Sequence, residues 1–216
     1  ILMRLTAVSL AVMAIAAAPA IAQPERITEG NLVMENIPDV PAEVRERLQQ
    51  YNNVRSAGFS DFAPDGGIYI TTRFGETTQI HHVAQPMGMR RQMTFFDERT
   101  SGASVRPGES GEFVFTRDIG GDEFFQGFLF DPSDASVTRF TDAGTRNGSV
   151  SWRDDGGQLA WSRRQDGDPD ADILVADPSN PGSRTVLLEG EGAVSPADWS
   201  PDGSQLLIQR YYAITH

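Results

Sequence analysis

The 216-residue chain has no cysteine, no lysine and only three histidines. Without cysteine there are no disulfides and no thiolate metal ligands. All 18 positive side chains are arginines, set against 30 acidic residues, so the formal net charge is −12. Nucleic-acid binding needs clustered positive charge, and this balance argues against it. Apolar runs are scarce too. The long one, Leu5 to Ala18, follows Met3-Arg4 and precedes Ala20-Ile21-Ala22. It is short for a membrane span and ends in an A-x-A site. Residues 3–22 therefore read as a secretory signal peptide, cleaved between Ala22 and Gln23. The mature chain is expected outside the cytoplasm, secreted or periplasmic, with no stable membrane insertion after cleavage.

What the chain has instead is a repeat. Arg73, Arg117, Arg163 and Arg210 are spaced 44, 46 and 47 residues apart. Ahead of them, at matched offsets, stand Phe62, Arg106, Trp152 and Trp199; then Asp65, Glu109, Asp155 and Asp202; then Tyr69, Phe113, Leu159 and Leu206. The acidic-Gly pairs between apolar runs supply the positive φ of a tight hairpin. Only the second unit departs, with "RPGESG" in place of an aromatic-x-Pro-Asp-Gly turn. Downstream, Pro86, Pro132 and Pro178 each separate two further short apolar runs. One unit thus holds four short strands. A four-stranded sheet cannot bury both faces alone, and a period in the 40s is that of β-propeller blades.

The fold expected is all-β: a partial propeller of about three and a half four-stranded blades. The blades fall at about 51–97, 98–142, 143–190 and 191–216, the last incomplete. A leader at 23–50 precedes them and packs near the propeller. It carries one short helix, "PAEVRERLQQY", with Pro41 at the first helical position and Val44, Leu48 and Tyr51 as an apolar stripe.

The segments "MRRQMTFFDE", "GGDEFFQGFLFDP", "SVSWRDDGGQLAWSRRQDGDPDADILVADP" and "PADWSPDGSQLLIQRYYAI", in that order, resemble the N-terminal propeller of secreted bacterial prolyl oligopeptidase-family serine peptidases. The dipeptidyl-peptidase and acylaminoacyl-peptidase branches are the ones meant, and the resemblance covers nearly all of residues 36–216. It implies a seven- or eight-bladed parent propeller that caps a C-terminal α/β-hydrolase domain and admits short peptides. It also implies a Ser-Asp-His triad in that hydrolase, with the serine in a G-x-S-x-G elbow. No such elbow occurs here, because "GESG" at 108–111 is not the motif. The expectation is therefore a piece truncated before its hydrolase, inactive alone, with no catalytic residue and no cofactor of its own. Its partners would be that hydrolase domain and peptide substrates.

Two candidate sites compete with plainer readings. Asp166, Asp168, Asp170, Asp172 and Asp177 match part of a calcium loop, but Ala171 stands where glycine is needed and Pro169 stiffens the turn. An exposed acidic hairpin accounts for them better. Asp122 and Glu123 lie in the equivalent hairpin of the second unit. The resemblance makes them candidates for anchoring a substrate's amino group, and a solvated turn is the competing reading. His81 and His82 are neighbours in a strand and so point to opposite faces. Trp152 and Trp199 fit inter-blade packing. The alternative to a peptidase propeller is a non-enzymatic periplasmic propeller of TolB type that binds protein partners.

Overall fold

The computed structural model describes residues 25–213. The expected signal peptide, its cleavage site at Ala22 and Gln23, and His216 lie outside the described residues. The chain divides into two compact units, residues 1–39 and 40–216.

In the first unit, β1 (Arg26–Glu29) and β2 (Leu32–Glu35) form an antiparallel hairpin. Gly30 takes φ 57° in its two-residue turn, as such a hairpin requires. The sequence reading gave this leader a helix alone. The missed signal was Gly-Asn between two four-residue alternating runs.

The second unit opens with α1 (Ala42–Asn52). Pro41 is its N-cap, with ψ 140°, rather than its first helical residue. The helix also runs past residue 50, where the leader was expected to end. None of its residues is buried, so the stripe of Val44, Leu48 and Tyr51 faces outward.

Four antiparallel sheets follow, each with its strands in chain order. The first holds β3 (Gly58–Phe62), β4 (Ile68–Thr72), β5 (Gln79–Val83) and β6 (Arg90–Gln92). The second holds β7 (Ser104–Val105), β8 (Phe113–Arg117), β9 (Gln126–Asp131) and β10 (Ser136–Arg139). The third holds β11 (Thr145–Trp152), β12 (Leu159–Gln165), β13 (Ala171–Asp177) and β14 (Asn180–Leu188). The fourth pairs β15 (Ala193–Trp199) with β16 (Leu206–Tyr211). Successive sheets touch through their strands, β3 with β7, β9 with β11, and β11, β12 and β13 with β15.

Alternation along each strand builds two cores at once. Phe113 and Phe115 of β8, with Phe128 and Phe130 of β9, face the first sheet and meet Tyr69 and Ile80. Val114 and Leu129, between them, face the third sheet and meet Trp161 and Leu174. Ile173 of β13 turns the other way, toward Val194 and Leu206 of the fourth. Each fully buried Leu, Ile or Phe contributes roughly 1.5–3 kcal/mol, so stacking rather than any single sheet supplies the stability. The partial propeller of three four-stranded blades and a two-stranded fourth is what the repeat predicted.

The blades share further devices. The indole of Trp152 donates to the Ser104 carbonyl at 3.1 Å, and that of Trp199 to the Ser151 carbonyl at 3.1 Å. Each tryptophan thereby ties its blade to the one before. In the first-to-second-strand turns, Asp65, Asp155 and Asp202 each accept the backbone N–H two residues on, at 2.8–3.0 Å. Glu109 was aligned with them, but the Ser110 hydroxyl does this work in blade two, accepting the Glu112 N–H at 3.3 Å. The turn there is displaced by one residue, with Gly111 as its positive-φ glycine.

Candidate functional site

The four aligned arginines turn out to be structural. Arg117 pairs with Glu98 at 3.0 Å, Arg163 with Asp142 at 3.9 Å and Arg210 with Glu191 at 3.8 Å. Arg73 donates to the Asn52 carbonyl. These partners all lie in the segment that leads into the arginine's own blade, and Arg163 has a second, closer one at 2.7 Å in Asp172 of β13. The sequence could place these arginines in one column, but not their partners, which sit in connections of different length.

The acidic residues proposed for calcium are drawn apart by other duties. Asp172 pairs with Arg163 at 2.7 Å, and Asp177 with Arg106 at 3.4 Å across the junction with blade two. Asp170 accepts the Gly192 N–H at 2.6 Å, and Asp168 accepts the Asp170 N–H at 2.9 Å. Asp166 is exposed. Among the described residues, no three His, Asp or Glu side chains gather closely enough to hold a metal ion.

Asp122 and Glu123 lie in the β8–β9 hairpin. Asp122 accepts the Phe124 N–H at 2.9 Å, the bond of a local turn. Glu123 sits at φ 60° and reaches Arg146 of β11 at 3.9 Å, with its side chain 74% exposed. A pair that long and that wet contributes little to stability.

The two strand histidines differ as their alternation requires. His82 meets Asp65 at 3.2 Å and lies against Tyr69, whereas His81 is wholly buried beside Phe74. The backbone N–H of Gly67, and then His82, hold the Asp65 carboxyl below its ordinary range. Burial, and then the nearby charge of Arg90, push His81 below the usual histidine value. Ser110 bonds the Glu112 carboxylate at 3.2 Å, as a turn residue does.

The sequence reading missed two features. The first is a buried amide–hydroxyl pair repeated in blades one and two. Gln79 donates to the Phe96 and Glu98 carbonyls at 2.9 Å, and Thr94 accepts the Ile80 N–H at 2.9 Å. Gln126 and Thr141 repeat this, with Gln126 donating to the Thr145 carbonyl at 2.7 Å and Thr141 accepting the Gly127 N–H at 2.9 Å. The repeat spacing of 47 residues could have exposed it.

The second is a cleft of about 450 Å³ between the third and fourth sheets. Arg146, Arg163 and Arg164 line it, together with Ser149, Ser162 and Ser195. No acidic residue lines it, on a chain with a net charge of −12. Arg146 and Arg164 are register partners on β11 and β12. Its lining can donate many hydrogen bonds and carries positive charge, which suits an anion.

No family model matches the chain, and no curated protein matches it. Solved structures do. TolB from Acinetobacter baumannii is 26% identical, with a TM-score of 0.53, over 69% of this chain and 36% of its own. A putative TolB from Agrobacterium tumefaciens is 17% identical, TM-score 0.55, over 73% of this chain and 60% of its own. A prolyl endopeptidase is 14% identical, TM-score 0.56, over 77% of this chain and 30% of its own. The chain thus spans less than two thirds of the length of each, and what it shares with all three is the stacked, four-stranded blade of a β-propeller.

Proposed function

We propose that the chain is the substrate-gating propeller portion of an exported serine peptidase that cleaves short peptides. One observation carries this reading. The two most distinctive segments of the family resemblance, residues 89–98 and 120–132, fold together as the junction of blades one and two. The first supplies Thr94, Phe96 and Glu98 to the polar network around Gln79, and Phe96 packs on the core that holds Phe128 and Phe130 of the second. The likeness to a prolyl endopeptidase over 77% of this chain agrees with it. In this reading, blades exclude folded proteins and pass short chains to a hydrolase domain, whose nucleophile, base and oxyanion site do the chemistry.

The second reading, a TolB-type propeller that binds protein partners, is favoured by the 26% identity to the Acinetobacter protein. Reading the gene beyond the codon for His216 separates the two. An open frame that reaches a G-x-S-x-G elbow supports the peptidase. A stop soon after the last propeller strand refutes it and favours the binder.

A further inference from the structure

A repeat protein carries its own control. Residues that every blade needs recur in the same column, and a residue found in one blade only serves something else. Arg164 follows the aligned arginine of its blade. The residues in that column elsewhere are Phe74, Asp118 and Tyr211. Arg146 stands six residues before Trp152, and its column elsewhere holds Ser56, Thr100 and Ala193. Ala193 and Tyr211 are register partners, just as Arg146 and Arg164 are. The fourth blade therefore makes the same strand pair without either charge. Stacking the blades does not require these two arginines.

Their surroundings differ from those of the structural arginines. Arg163, which also lines the cleft, is neutralised by Asp172 and Asp142, although its buried Nε has no hydrogen-bond partner. Arg164 differs in having no ion pair among the described residues, while its buried Nε, like those of Arg117 and Arg163, has no hydrogen-bond partner. A partly buried guanidinium with neither a carboxylate partner nor an acceptor at its Nε calls for an explanation. Arg146 is 47% exposed, has the long contact with Glu123 as its one ion pair among the described residues, and lays its guanidinium 4.6 Å over the Phe124 ring. Both line a cleft of ligand size, with Ser149 and Ser195 as further donors and no carboxylate in its lining.

We propose that this cleft binds the carboxylate of a small acidic ligand, with Arg164 as the principal partner and Arg146 as the second. The planar guanidinium fork matches a carboxylate in two parallel hydrogen bonds, which an ammonium cannot do. The carboxylate could belong to the C-terminus of a short peptide or to a uronic acid sugar. The site is inferred independently of the peptidase reading.

The test is calorimetric titration of the full chain with trialanine, trialanine amide, a uronic acid disaccharide and sodium sulfate. Binding of trialanine at least tenfold tighter than of its amide supports the site and assigns it to peptide termini. Binding of the disaccharide alone supports it and assigns it to acidic sugars. Arg164→Gln and Arg146→Gln should each weaken the bound probe, Arg164→Gln by tenfold or more, while Arg139→Gln on β10 changes nothing. Arg164→Lys, which keeps the charge and loses the fork, should recover only part of the affinity. Circular dichroism checks that the variants fold, and if Arg164→Gln does not, the exposed Arg146 variant decides. Equal binding of the acid and the amide, binding of sulfate alone, no binding of any probe, or losses that ignore Arg164 and Arg146 would each overturn the proposal.

Discussion

Arg106 stands in the column that holds Phe62, Trp152 and Trp199 in the other blades, but it joins its blade by charge to the one that follows. Its Nε donates to the Gly156 carbonyl at 2.8 Å, and its Nη1 to Glu112 at 3.1 Å and to the Ser179 hydroxyl at 2.7 Å. Nη2 reaches Asp177 at 3.4 Å. Three of these four partners belong to blade three, so the side chain is a rivet between sheets. Arg106 and Glu112 side chains are each 17% exposed. Breaking a fully buried pair costs 3–5 kcal/mol and an exposed one costs 0–1. At this intermediate burial, Arg106→Met is expected to cost about 2–3 kcal/mol, much of it from the stranded Glu112 carboxylate. Arg106→Met with Glu112→Gln should therefore be less destabilised than the two single variants summed, by about 1 kcal/mol or more. Urea unfolding of the full chain, followed by far-UV circular dichroism, measures all four corners of the cycle. A single-variant cost under about 0.5 kcal/mol, or strict additivity, would refute the rivet.

Trp152→Phe and Trp199→Phe each remove an indole N–H aimed at a backbone carbonyl, and both should lose about 0.5–1.5 kcal/mol in the same unfolding assay; unequal effects, with one near zero, would break the equivalence of the two junctions. His81 is held neutral by burial, so the unfolded chain binds a proton that the folded chain refuses below the ordinary histidine value near 6.5. Stability should thus fall as pH drops below about 6.5, and His81→Leu should flatten that slope in midpoint-versus-pH curves. Gly156→Ala should cost more than 1 kcal/mol, since φ is 69° and a Cβ would stand 2.4 Å from the Pro107 carbonyl oxygen, and a silent substitution would mean the two turns are not packed together. Asp202 is drawn down to about 2, first by the Ser200 hydroxyl. Its contribution is present above about pH 4 and lost as pH falls toward 2, so Asp202→Asn should weaken the turn at pH 7 and make no difference near pH 2.

The blades were legible because their signals are local. An Asp-Gly turn, an alternating run and a fixed period need no knowledge of what lies across the sheet. The leader hairpin was less so, since four-residue strands such as Arg26–Glu29 carry too few alternations to stand out from a loop. Pro41 was placed one position too far into its helix because proline satisfies the requirements of both positions. At the candidate site, the acidic run could be seen but not its engagements, because Asp172 and Asp177 meet arginines 9 and 71 residues away. The arginine cleft was invisible for a related reason: Arg146 and Arg164 look unremarkable in a linear text, and only the register of β11 on β12 sets them side by side.

The opposed faces of β8, β9 and β13 bear on how such a chain tolerates insertions and deletions. One added residue inside β8 would send Phe113 and Phe115 where Val114 belongs and exchange the contents of two cores in a single event. Length variation is therefore kept out of the central strands and falls in the connections and the outermost strands. The segments between blades run from eleven residues (93–103) to four (189–192) and the outermost strands from three residues (β6) to nine (β14), while the central strands stay in phase. A library of single-codon insertions across the gene should read out as alternating blocks, barren in the central strands and permissive between them. The boundaries of those blocks would map the sheets without any structure at all.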